Sequence, residues 1–445
     1  MPDLHTRVDL APDFGADVVP EGLSAMARGM VSSSILTIAW EIRALRDRGV
    51  PVADMTVGDF SPREFPIPER LRDLVVEELR AGATNYPPPA GEPDLRAAVR
   101  EHVRRTQGMD WPEDGITIVS GGRPALYSAY RLLTDPGDAV LYPAPSWNNH
   151  NYAQIQGLRP IVVPTSPADA FQPTVDLLRP HLGEARLLVL NTPQNPSGGV
   201  MPRDEVEAFG RMLVEENHRR LAAGEKPLFL LYDQIYRSLV FSGHVHYSPV
   251  ELVPECAPWV VHTDGISKGF CATGLRCGWM FAAPAVARKA AALLTHVGAW
   301  APKPVQRATA RWLGDAAAVD AWTEDVVGRV RERLDPLHAG LLALREEGLP
   351  VDCIAPQGAI YLSVRFAVEG WRTADGVELR GSESVRRWLL ENAAFAVVPF
   401  SAFGVPTELE HGWVRVSVGA VSVAEVQAAL PRLRDALLTL RPPAT

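Results

Sequence analysis

Cysteine is scarce in this sequence, with four residues in a chain of 445. None of them forms a Cys-x-x-Cys pair, and none has a histidine nearby at the spacing that metal ligands use. The pattern therefore excludes a disulfide framework of the secreted type and offers no candidate metal site. We interpret Cys256, Cys271, Cys277 and Cys353 as reduced, partly buried residues of a cytoplasmic protein.

Long apolar runs and an excess of positive charge are missing as well. No stretch reaches the roughly 18 consecutive apolar residues of a membrane span, and the N-terminus MPDLHTRVDLAPDF lacks the basic start and apolar run of a signal peptide. The formal net charge is −9, which disfavours a partner with a phosphate backbone. The sequence therefore predicts no membrane partner and no nucleic-acid partner.

What the chain does have is the composition of a globular protein, with 47% hydrophobic and 22% charged residues. From about residue 116, short apolar strands alternate with helices, as in ITIVSGG followed by PALYSAYRLL. This alternation predicts a mostly parallel sheet covered by helices on both faces. Ligands of such sheets bind beyond the carboxyl ends of the strands, and polar residues fall at those ends here.

The segments on either side of this alternating region predict a second, smaller domain. The length of the chain also favours two domains. Apolar residues recur at helical spacing over 31–49, 69–81 and 93–107, and after a largely helical region the runs VDCIAP, AIYLSVRF, FAVVPF and WVRVSVG are typical of strands. We predict four parts: an N-terminal arm (1–30), the first part of the small domain (31–80), a large domain (81–335) and the rest of the small domain (336–445).

The glycine-rich stretch DGISKGFCATGLRCGWM places Lys268 just after an apolar strand. A lysine in such a loop is most often a solvated surface residue. At a buried strand end, however, desolvation and neighbouring cations lower the pKa of a lysine. The neutral amine can then form a Schiff base, either in an aldolase or in an enzyme that uses pyridoxal 5′-phosphate (PLP).

PLP requires further protein groups, and candidates follow other strands. Asp233 ends the strand in LFLLYDQIY, where it can keep the pyridine nitrogen protonated or cap a following helix. Asn195 in NTPQNPSGG can donate to the phenolic oxygen or belong to a plain turn. Tyr236 lies three residues beyond the aspartate and can reach the same oxygen.

The phosphate and the ring face of PLP also have candidates. In SGGRPAL the backbone amides of Gly122 and Arg123 can bind phosphate at a helix N-terminus, although Gly-Gly loops are common. Arg276 can clamp the phosphate, with Ser267 nearby. Trp147 in YPAPSWNNH can stack on the cofactor ring or belong to the core.

These segments together resemble the class I/II aminotransferases, PLP enzymes of fold type I that include the aspartate aminotransferases. The matching segments occur in family order over about residues 31–440: VGDF, TNYPPPAGEPDLRAAV, VSGGRPAL, YPAPSW, NTPQNPSGG, YDQIY, GISKGFCATGLRCGW, QGAIYLSV and WVRVSVG. The resemblance implies an α/β fold with a mostly parallel seven-stranded sheet sandwiched by helices. It also implies a smaller α+β domain made by the N-terminal and C-terminal segments.

The resemblance implies that the chain moves the amino group of an L-amino acid to a 2-oxo acid, with 2-oxoglutarate as the favoured acceptor. Lys268 resembles the lysine that anchors the cofactor and carries the proton, and Asp233 resembles the partner of the pyridine nitrogen. Asn195 and Tyr236 resemble the donors to the phenolic oxygen. Trp147 resembles the aromatic residue that stacks on the ring.

At the phosphate, Arg276 resembles the family's phosphate arginine. Members often have a serine three residues before the anchoring lysine, where this chain has Gly265, so Ser267 is the one hydroxyl nearby. Tyr86 matches a tyrosine that reaches the phosphate of the neighbouring subunit. That match implies a homodimer with composite active sites.

On the substrate side, Arg415 resembles the arginine that binds the α-carboxylate of the substrate. Gly58 resembles a glycine that lies close to that carboxylate, and the resemblance places Asn195 beside it as well. Arg123 occupies the place of a lysine that binds the distal carboxylate in one bacterial subgroup of aspartate aminotransferases. That match favours aspartate and glutamate; alternatively, Arg123 supports the phosphate or faces solvent.

Three other functions stay open from the sequence. A PLP-dependent lyase, or another amino-acid-transforming enzyme on the same scaffold, would use the same cofactor residues. A PLP-binding regulator would carry a DNA-binding domain first, whereas only about 30 residues precede the first core helix here. An aldolase would use the lysine without PLP.

Overall fold

The computed structural model describes residues 22–30 and 34–443. Most of the predicted N-terminal arm (1–30) lies outside the described residues, and Ala25–Arg28 in its described part form the short helix α1. The next elements are α2 (Ser34–Asp47), β1 (Ala53–Asp54), α3 (Glu69–Arg80) and α4 (Pro93–Gln107). The helices predicted over 69–81 and 93–107 are confirmed, and α4 has the expected terminal residues, with Pro93 at its start and Gly108 in a left-handed conformation after its end.

Strands and helices alternate through the middle of the chain as predicted. The elements are β2 (Ile116–Val119), α5 (Gly122–Leu133), β3 (Ala139–Ala144), α6 (Asn149–Gln156), β4 (Arg159–Pro164), α7 (Val175–Leu178), β5 (Ala185–Asn191), α8 (Arg203–Ala222), β6 (Phe229–Asp233), α9 (Pro249–Leu252), β7 (Val260–Gly265), α10 (Ile266–Gly269) and β8 (Gly278–Phe281).

These strands form one seven-stranded sheet in the order β2-β8-β7-β6-β5-β3-β4. Strand β8 runs antiparallel to both of its neighbours, and the remaining pairs are parallel. The prediction of a mostly parallel seven-stranded sheet is therefore confirmed. Six strands place their carboxyl ends at the same edge of the sheet, where ligands bind in folds of this kind.

The core lies on both faces of this sheet. On β5, Leu187 and Val189 belong to one buried cluster while Leu188 and Leu190 belong to another. Because successive side chains of a strand point to opposite faces, the two clusters lie on opposite sides of the sheet. Burial on both faces is the physical reason for the continuous apolar runs in the sequence.

The C-terminal third adds helices and a second sheet. Its elements are α11 (Pro284–Val297), α12 (Lys303–Leu313), α13 (Ala316–Glu346), β9 (Val351–Cys353), β10 (Tyr361–Phe366), α14 (Gly381–Ala393), β11 (Phe395–Ala396), β12 (Val398–Pro399), α15 (Thr407–Glu410), β13 (Trp413–Ser417) and α16 (Val423–Leu438). Four of the strands form an antiparallel sheet in the order β12-β13-β10-β9.

Strand β1 pairs in parallel with β11, so the N-terminal segment joins the C-terminal one in the same layer. The predicted run FAVVPF is not one strand but two, because β11 pairs with β1 while β12 pairs with β13. Helix α13 continues through the predicted boundary at residue 335, and Pro336 lies inside it. The exact division into domains stays a prediction.

All four cysteines are free, and three of them are buried. Within residues 22–30 and 34–443, helices are either too short or too polar to cross a bilayer.

Candidate active site

The carboxyl ends of the parallel strands bring the predicted residues together at one edge of the large sheet. Asn191, the last residue of β5, is paired in register with Asp233, the last residue of β6. The side-chain amide of Asn191 donates to the backbone oxygen of Asp233 at 2.9 Å and accepts from the backbone nitrogen of Asn195 at 2.8 Å. The two strand ends and the loop that follows β5 are therefore tied to one another.

Lys268 lies in the one-turn helix α10, directly after β7, and its side chain points into this edge. Its Nζ donates to the backbone oxygen of Gly58 at 2.7 Å and lies 3.9 Å from a carboxylate oxygen of Asp59. Burial lowers the pKa of Lys268 to about 8, against the opposing effect of Asp59 and with the help of the cations Arg415 and Arg123. The amine is therefore neutral far more often than that of a surface lysine.

Asp233 is held in place by two donors to one of its carboxylate oxygens. The backbone nitrogen of Ile235 donates to Oδ1 at 3.2 Å, and the hydroxyl of Thr263 on the neighbouring strand β7 donates to it at 3.1 Å. Burial raises the pKa of Asp233 to about 6, because these hydrogen bonds offset only part of the desolvation. A cation beside this carboxylate would restore its charge.

The loop after β5 places Asn195 against Arg415, and the loop after β6 places Tyr236 near the lysine. Tyr236 is buried, its ring centroid lies 5.9 Å from Lys268 Nζ, and its hydroxyl is 2.6 Å from that of Tyr361. The side-chain oxygen of Asn195 accepts from Arg415 at 3.0 Å, which leaves the amide NH₂ of Asn195 as a donor.

Arg276 packs against the glycine loop that begins α5. Its guanidinium donates to the backbone oxygens of Thr273 at 2.6 Å and of Ser120 at 2.9 Å. Gly121 has a φ of 77°, and a Cβ added there would lie 2.3 Å from Arg276 Nη2. The close approach of this arginine to the N-terminus of α5, where Gly122 is the first residue, concentrates positive potential at one point.

Trp147 and Arg123 lie in direct contact. The Arg123 guanidinium is 4.6 Å from the centroid of the Trp147 ring, a cation–π contact. Arg123 is exposed, but its charge also contributes to the lowered pKa of Lys268. Its role among the predicted alternatives stays a prediction. Trp147 is partly buried and packs against core residues from the large sheet.

Arg415, on β13, is fully buried between two aromatic rings. Its guanidinium lies 4.8 Å from the ring centroids of both Tyr361 and Phe403. It donates to Asn195 and to the backbone oxygen of Thr56, while its Nε has no hydrogen-bond partner within the described ranges. A buried guanidinium with an unpaired donor fits an anionic ligand.

Two predicted residues have no side-chain hydrogen bond to this set among the described residues. Tyr86 is 78% exposed, and its ring lies 5.0 Å from that of Trp300. Ser267 is buried beside Lys268 on α10.

The site can be compared with known proteins at this point. Residues 52–433 match the family described as aminotransferase class I and II. The chain belongs to the class I and II aminotransferases. It is therefore a transaminase, which confirms the resemblance and the enzyme class predicted from the sequence.

Related aminotransferases cover nearly the whole chain. The aspartate/prephenate aminotransferase of Thermus thermophilus is 31% identical over 419 residues, which are 94% of this chain and 99% of the relative. A bifunctional aspartate aminotransferase and glutamate/aspartate-prephenate aminotransferase of Petunia hybrida is 30% identical over 424 residues, 95% of this chain and 84% of the relative.

Solved aminotransferase structures match the fold. The aspartate aminotransferase of Rhizobium meliloti superposes with a TM-score of 0.84 at 27% identity, covering 94% of this chain and 99% of that one. The aspartate aminotransferase of Thermus thermophilus with maleate gives a TM-score of 0.81 at 28% identity, covering 93% and 99%. These neighbours confirm the predicted fold class.

The structure of this aminotransferase adds site residues to which the sequence analysis gave no role. Thr263 fixes Asp233 from the neighbouring strand, a contact that depends on strand register and has no local signal. Tyr361 contacts Tyr236 and Arg415. Its signal is visible in the sequence, because Tyr361 and Ser363 put two hydroxyls on one face of the apolar run AIYLSV.

A buried ion pair behind the site was also missed. Arg237 donates to Asp264 at 2.6 Å, the two side chains are 10% and 6% exposed, and Arg237 also contacts His102. Asp264 in turn accepts from the backbone nitrogen of Gly265 at 2.7 Å. The pair joins the turn after β6 to the end of β7, and a charge inside the run VVHTDG was the signal for a buried partner.

Gly265 departs from the serine that the family often has, and the structure gives a physical reason. Gly265 is paired directly with Gly278 on β8. A Cβ added at residue 265 would lie 2.7 Å from the Cα of Gly278 and 2.9 Å from the backbone oxygen of Cys277. Both obstacles are backbone atoms, so a side chain at this position requires the two strands to separate.

We therefore expect Gly265→Ser to lower the free energy of unfolding of the apoprotein by roughly 1 to 3 kcal/mol, because the strands must shift. Gly274→Ser is the matched control, since Gly274 is exposed and has open space around it, and it should change stability by less than about 0.5 kcal/mol. Denaturant unfolding of both variants measures the difference. Equal stability of the two would show that β7 and β8 tolerate a side chain there.

Proposed function

We propose that this aminotransferase uses PLP anchored on Lys268, exchanges amino groups between an acidic L-amino acid and a 2-oxo acid, with 2-oxoglutarate as acceptor, and works as a homodimer. The observation that carries the proposal is the buried amine of Lys268. Its pKa is lowered to about 8 by burial and by the charge of Arg415 among others. The Arg415 guanidinium is buried between aromatic rings, and its Nε has no partner in the part of the chain that the structure describes.

The donor set fits PLP group by group. Lys268 would form the covalent bond, because a neutral amine is the nucleophile that an aldehyde requires. Asp233, whose burial raises its pKa to about 6, needs a cation beside it, and a protonated pyridine nitrogen is one. Tyr236 and the NH₂ group of Asn195 are donors for the phenolic oxygen, and Trp147 offers its ring as a stacking surface.

The phosphate end fits as well. The N-terminus of α5, with the amides of Gly122 and Arg123, and the guanidinium of Arg276 would hold a phosphate dianion. Ser267 is the neighbouring hydroxyl, since Gly265 has no side chain and no space for one.

When bound, the cofactor would supply a ring that withdraws electrons from the substrate carbon next to the amino group. The chain's residues do the rest. Asp233 presents a fixed negative charge, and Arg415 orients the substrate carboxylate. Lys268 moves a proton at Nζ, because a base works best when its pKa lies near the working pH. A carboxylate on Arg415 offsets the cation that lowers the pKa of Lys268, so substrate binding strengthens the base.

Substrate choice depends on Arg123 in this proposal. The charges of Arg123 and Arg415 both act on Lys268, and two cations around one amine suit a substrate with two carboxylates, one for each guanidinium. Gly58 lets the backbone lie close to the guanidinium of Arg415, because a Cβ at this position would be 3.3 Å from Arg415 Nη1. Relatives named aspartate or aspartate/prephenate aminotransferases and a neighbour solved with maleate, a dicarboxylate, support this choice.

An amino-donor panel with 2-oxoglutarate as acceptor tests the substrate class, using the wild type and Arg123→Ala. We expect kcat/KM for aspartate and glutamate to fall roughly 10- to 100-fold in the variant, because a charge-assisted contact is lost. Leucine and phenylalanine should lose far less. Arg131→Ala, which removes an exposed arginine of the same helix, is the control and should leave all donors unchanged. Equal losses on acidic and apolar donors would contradict a side-chain role for Arg123.

The homodimer is supported by the surface around Tyr86. This tyrosine is 78% exposed, and the indole nitrogen of Trp300, whose ring it contacts, has no hydrogen-bond partner among the residues described. Exposed aromatic and apolar side chains of this kind mark protein interfaces. Tyr86 would then reach the phosphate of the neighbouring subunit. Light scattering of the purified protein checks the proposal, and a single-chain mass would contradict it.

A further inference from the structure

Tyr361 is the first residue of β10 and lies where the two halves of the site meet. It is fully buried, and its hydroxyl is 2.6 Å from the hydroxyl of Tyr236. The two rings meet edge to face, with centroids 5.6 Å apart and an angle of 72° between their planes. This is a direct contact between residues 125 positions apart in sequence.

The ring of Tyr361 also supports Arg415. The guanidinium of Arg415 lies 4.8 Å from the ring centroid of Tyr361. It lies at the same distance from the ring centroid of Phe403. The register of β10 and β13 places Tyr361 opposite Ser417 and Ser363 opposite Arg415, so the arginine lies next to Tyr361 across the pair. A desolvated cation between two aromatic rings is held in one orientation.

The segment that contacts Lys268 rests on the same hydroxyl. A Cβ added to Gly58 would lie 3.0 Å from the Tyr361 hydroxyl oxygen, and the backbone oxygen of Gly58 accepts from Lys268 Nζ at 2.7 Å. Tyr361 thus contacts Tyr236 and Arg415 directly, and it lies beside Gly58, whose backbone oxygen accepts from Lys268.

The hydrogen bond between the two tyrosine hydroxyls has a defined donor if Tyr236 donates its own proton to a ligand. Burial raises the pKa of both Tyr236 and Tyr361, so both are neutral phenols. A phenol has one proton to donate and lone pairs with which to accept. If Tyr236 donates to a cofactor oxygen, it must accept from Tyr361.

We propose that Tyr361 is a positioning residue, which donates its hydroxyl proton to Tyr236 and so commits Tyr236 to donate to the phenolic oxygen, while its ring fixes Arg415. The inference rests on the proposed use of PLP. It assigns the hydroxyl to the electronics of the cofactor and the ring to substrate binding, and two substitutions separate these roles.

Tyr361→Phe removes the hydroxyl and keeps the ring. The readout is the pH titration of the absorbance of the lysine-bound cofactor, which reports how strongly the phenolic oxygen is stabilised as an anion. We expect the midpoint to rise by roughly 0.5 to 1 pH unit, because Tyr236 loses the donor that orients it. The KM for the amino donor should stay within about 2-fold of the wild type, since the ring remains against Arg415.

Tyr361→Leu removes the ring as well, and should raise the KM for the amino donor roughly 10-fold. Tyr130→Phe is the control for loss of a buried hydroxyl, because Tyr130 is buried and its hydroxyl also makes a hydrogen bond, 3.1 Å from Asn149. This variant should leave the midpoint unchanged.

A second background tests whether Tyr361 acts through Tyr236. In Tyr236→Phe, adding Tyr361→Phe should shift the midpoint no further. A full additional shift in this background, or an unshifted midpoint in Tyr361→Phe alone, would overturn the proposal. A wild type that shows no absorbance of lysine-bound cofactor would instead contradict the proposed use of PLP, so the two failures are distinguishable.

Discussion

Lys268→Ala is expected to abolish the absorbance of the lysine-bound cofactor and to lower turnover by roughly 10⁴-fold or more. The variant loses the nucleophile that anchors the cofactor and the base that moves the proton, and the other described groups around the site do not replace a neutral amine. A carboxylate lies 3.9 Å from Nζ, in Asp59, but a carboxylate forms no stable bond with an aldehyde. Absorbance spectra of the loaded protein and steady-state rates measure the two losses.

The chain offers an unusually clean control for this experiment, because it contains only four lysines: Lys226, Lys268, Lys289 and Lys303. Reduction with borohydride followed by peptide mass analysis should place the cofactor on Lys268 alone. Alanine variants of the other three should keep both the absorbance and the turnover. Turnover at the wild-type rate in Lys268→Ala, or cofactor found on another lysine, would contradict the assignment.

Asp233→Asn is expected to lower kcat roughly 10²- to 10³-fold, because a preorganised charge beside the cofactor ring is removed. The asparagine keeps the shape of the side chain, and its oxygen can still accept from Ile235 and Thr263, so the loss reports charge. Rates with saturating aspartate and 2-oxoglutarate measure it.

Stability should move in the opposite direction. Burial raises the pKa of Asp233 to about 6, so the folded apoprotein binds this proton more tightly than the unfolded chain does. The contribution of Asp233 to stability therefore falls as the pH rises from about 4 through about 6. Near neutral pH, Asp233→Asn should leave the apoprotein as stable as the wild type or more stable. Full activity in the variant, or a marked loss of stability with no loss of rate, would contradict the role.

Much of the large sheet could be predicted from the sequence. The strands of the large sheet other than the edge strand β4 are largely buried. Burial on both faces makes runs such as those of β5 and β6 continuously apolar, and each of these two runs ends in a polar residue. The order of the strands could not be read from the same runs. Strand β8 turns back between β2 and β7, and this depends on pairings between distant segments.

The strands of the small domain were harder to predict from the sequence, because they also pair with distant segments. FAVVPF is one apolar run in the sequence, yet its two halves pair with different partners, one of them in the N-terminal segment. The predicted strand in PVADMTVGDF is present as the two residues Ala53–Asp54, because only these align with β11. Local patterns give apolarity, while partners decide where a strand begins and ends.

In the site, the residues that follow strands were accessible from the sequence, because each combines a chemistry with a strand end. Lys268, Asp233 and Asn195 are of this kind. Tyr361 and Asp264 carry signals in the sequence, but those signals do not identify their partners, because each contact joins elements that meet only in the folded chain. The reason for Gly265 was likewise hidden, because its constraint is the backbone of the opposite strand.

The most direct test of the central claim is a single half-reaction without an acceptor. PLP-loaded protein is mixed with excess L-aspartate, and the 2-oxo acid, the aminated cofactor and free ammonia are quantified. We expect one equivalent of 2-oxo acid and one of aminated cofactor per chain, with no ammonia, because the amino group stays on the enzyme. Continuous release of ammonia with the cofactor unchanged would show a lyase on this scaffold and would contradict the account.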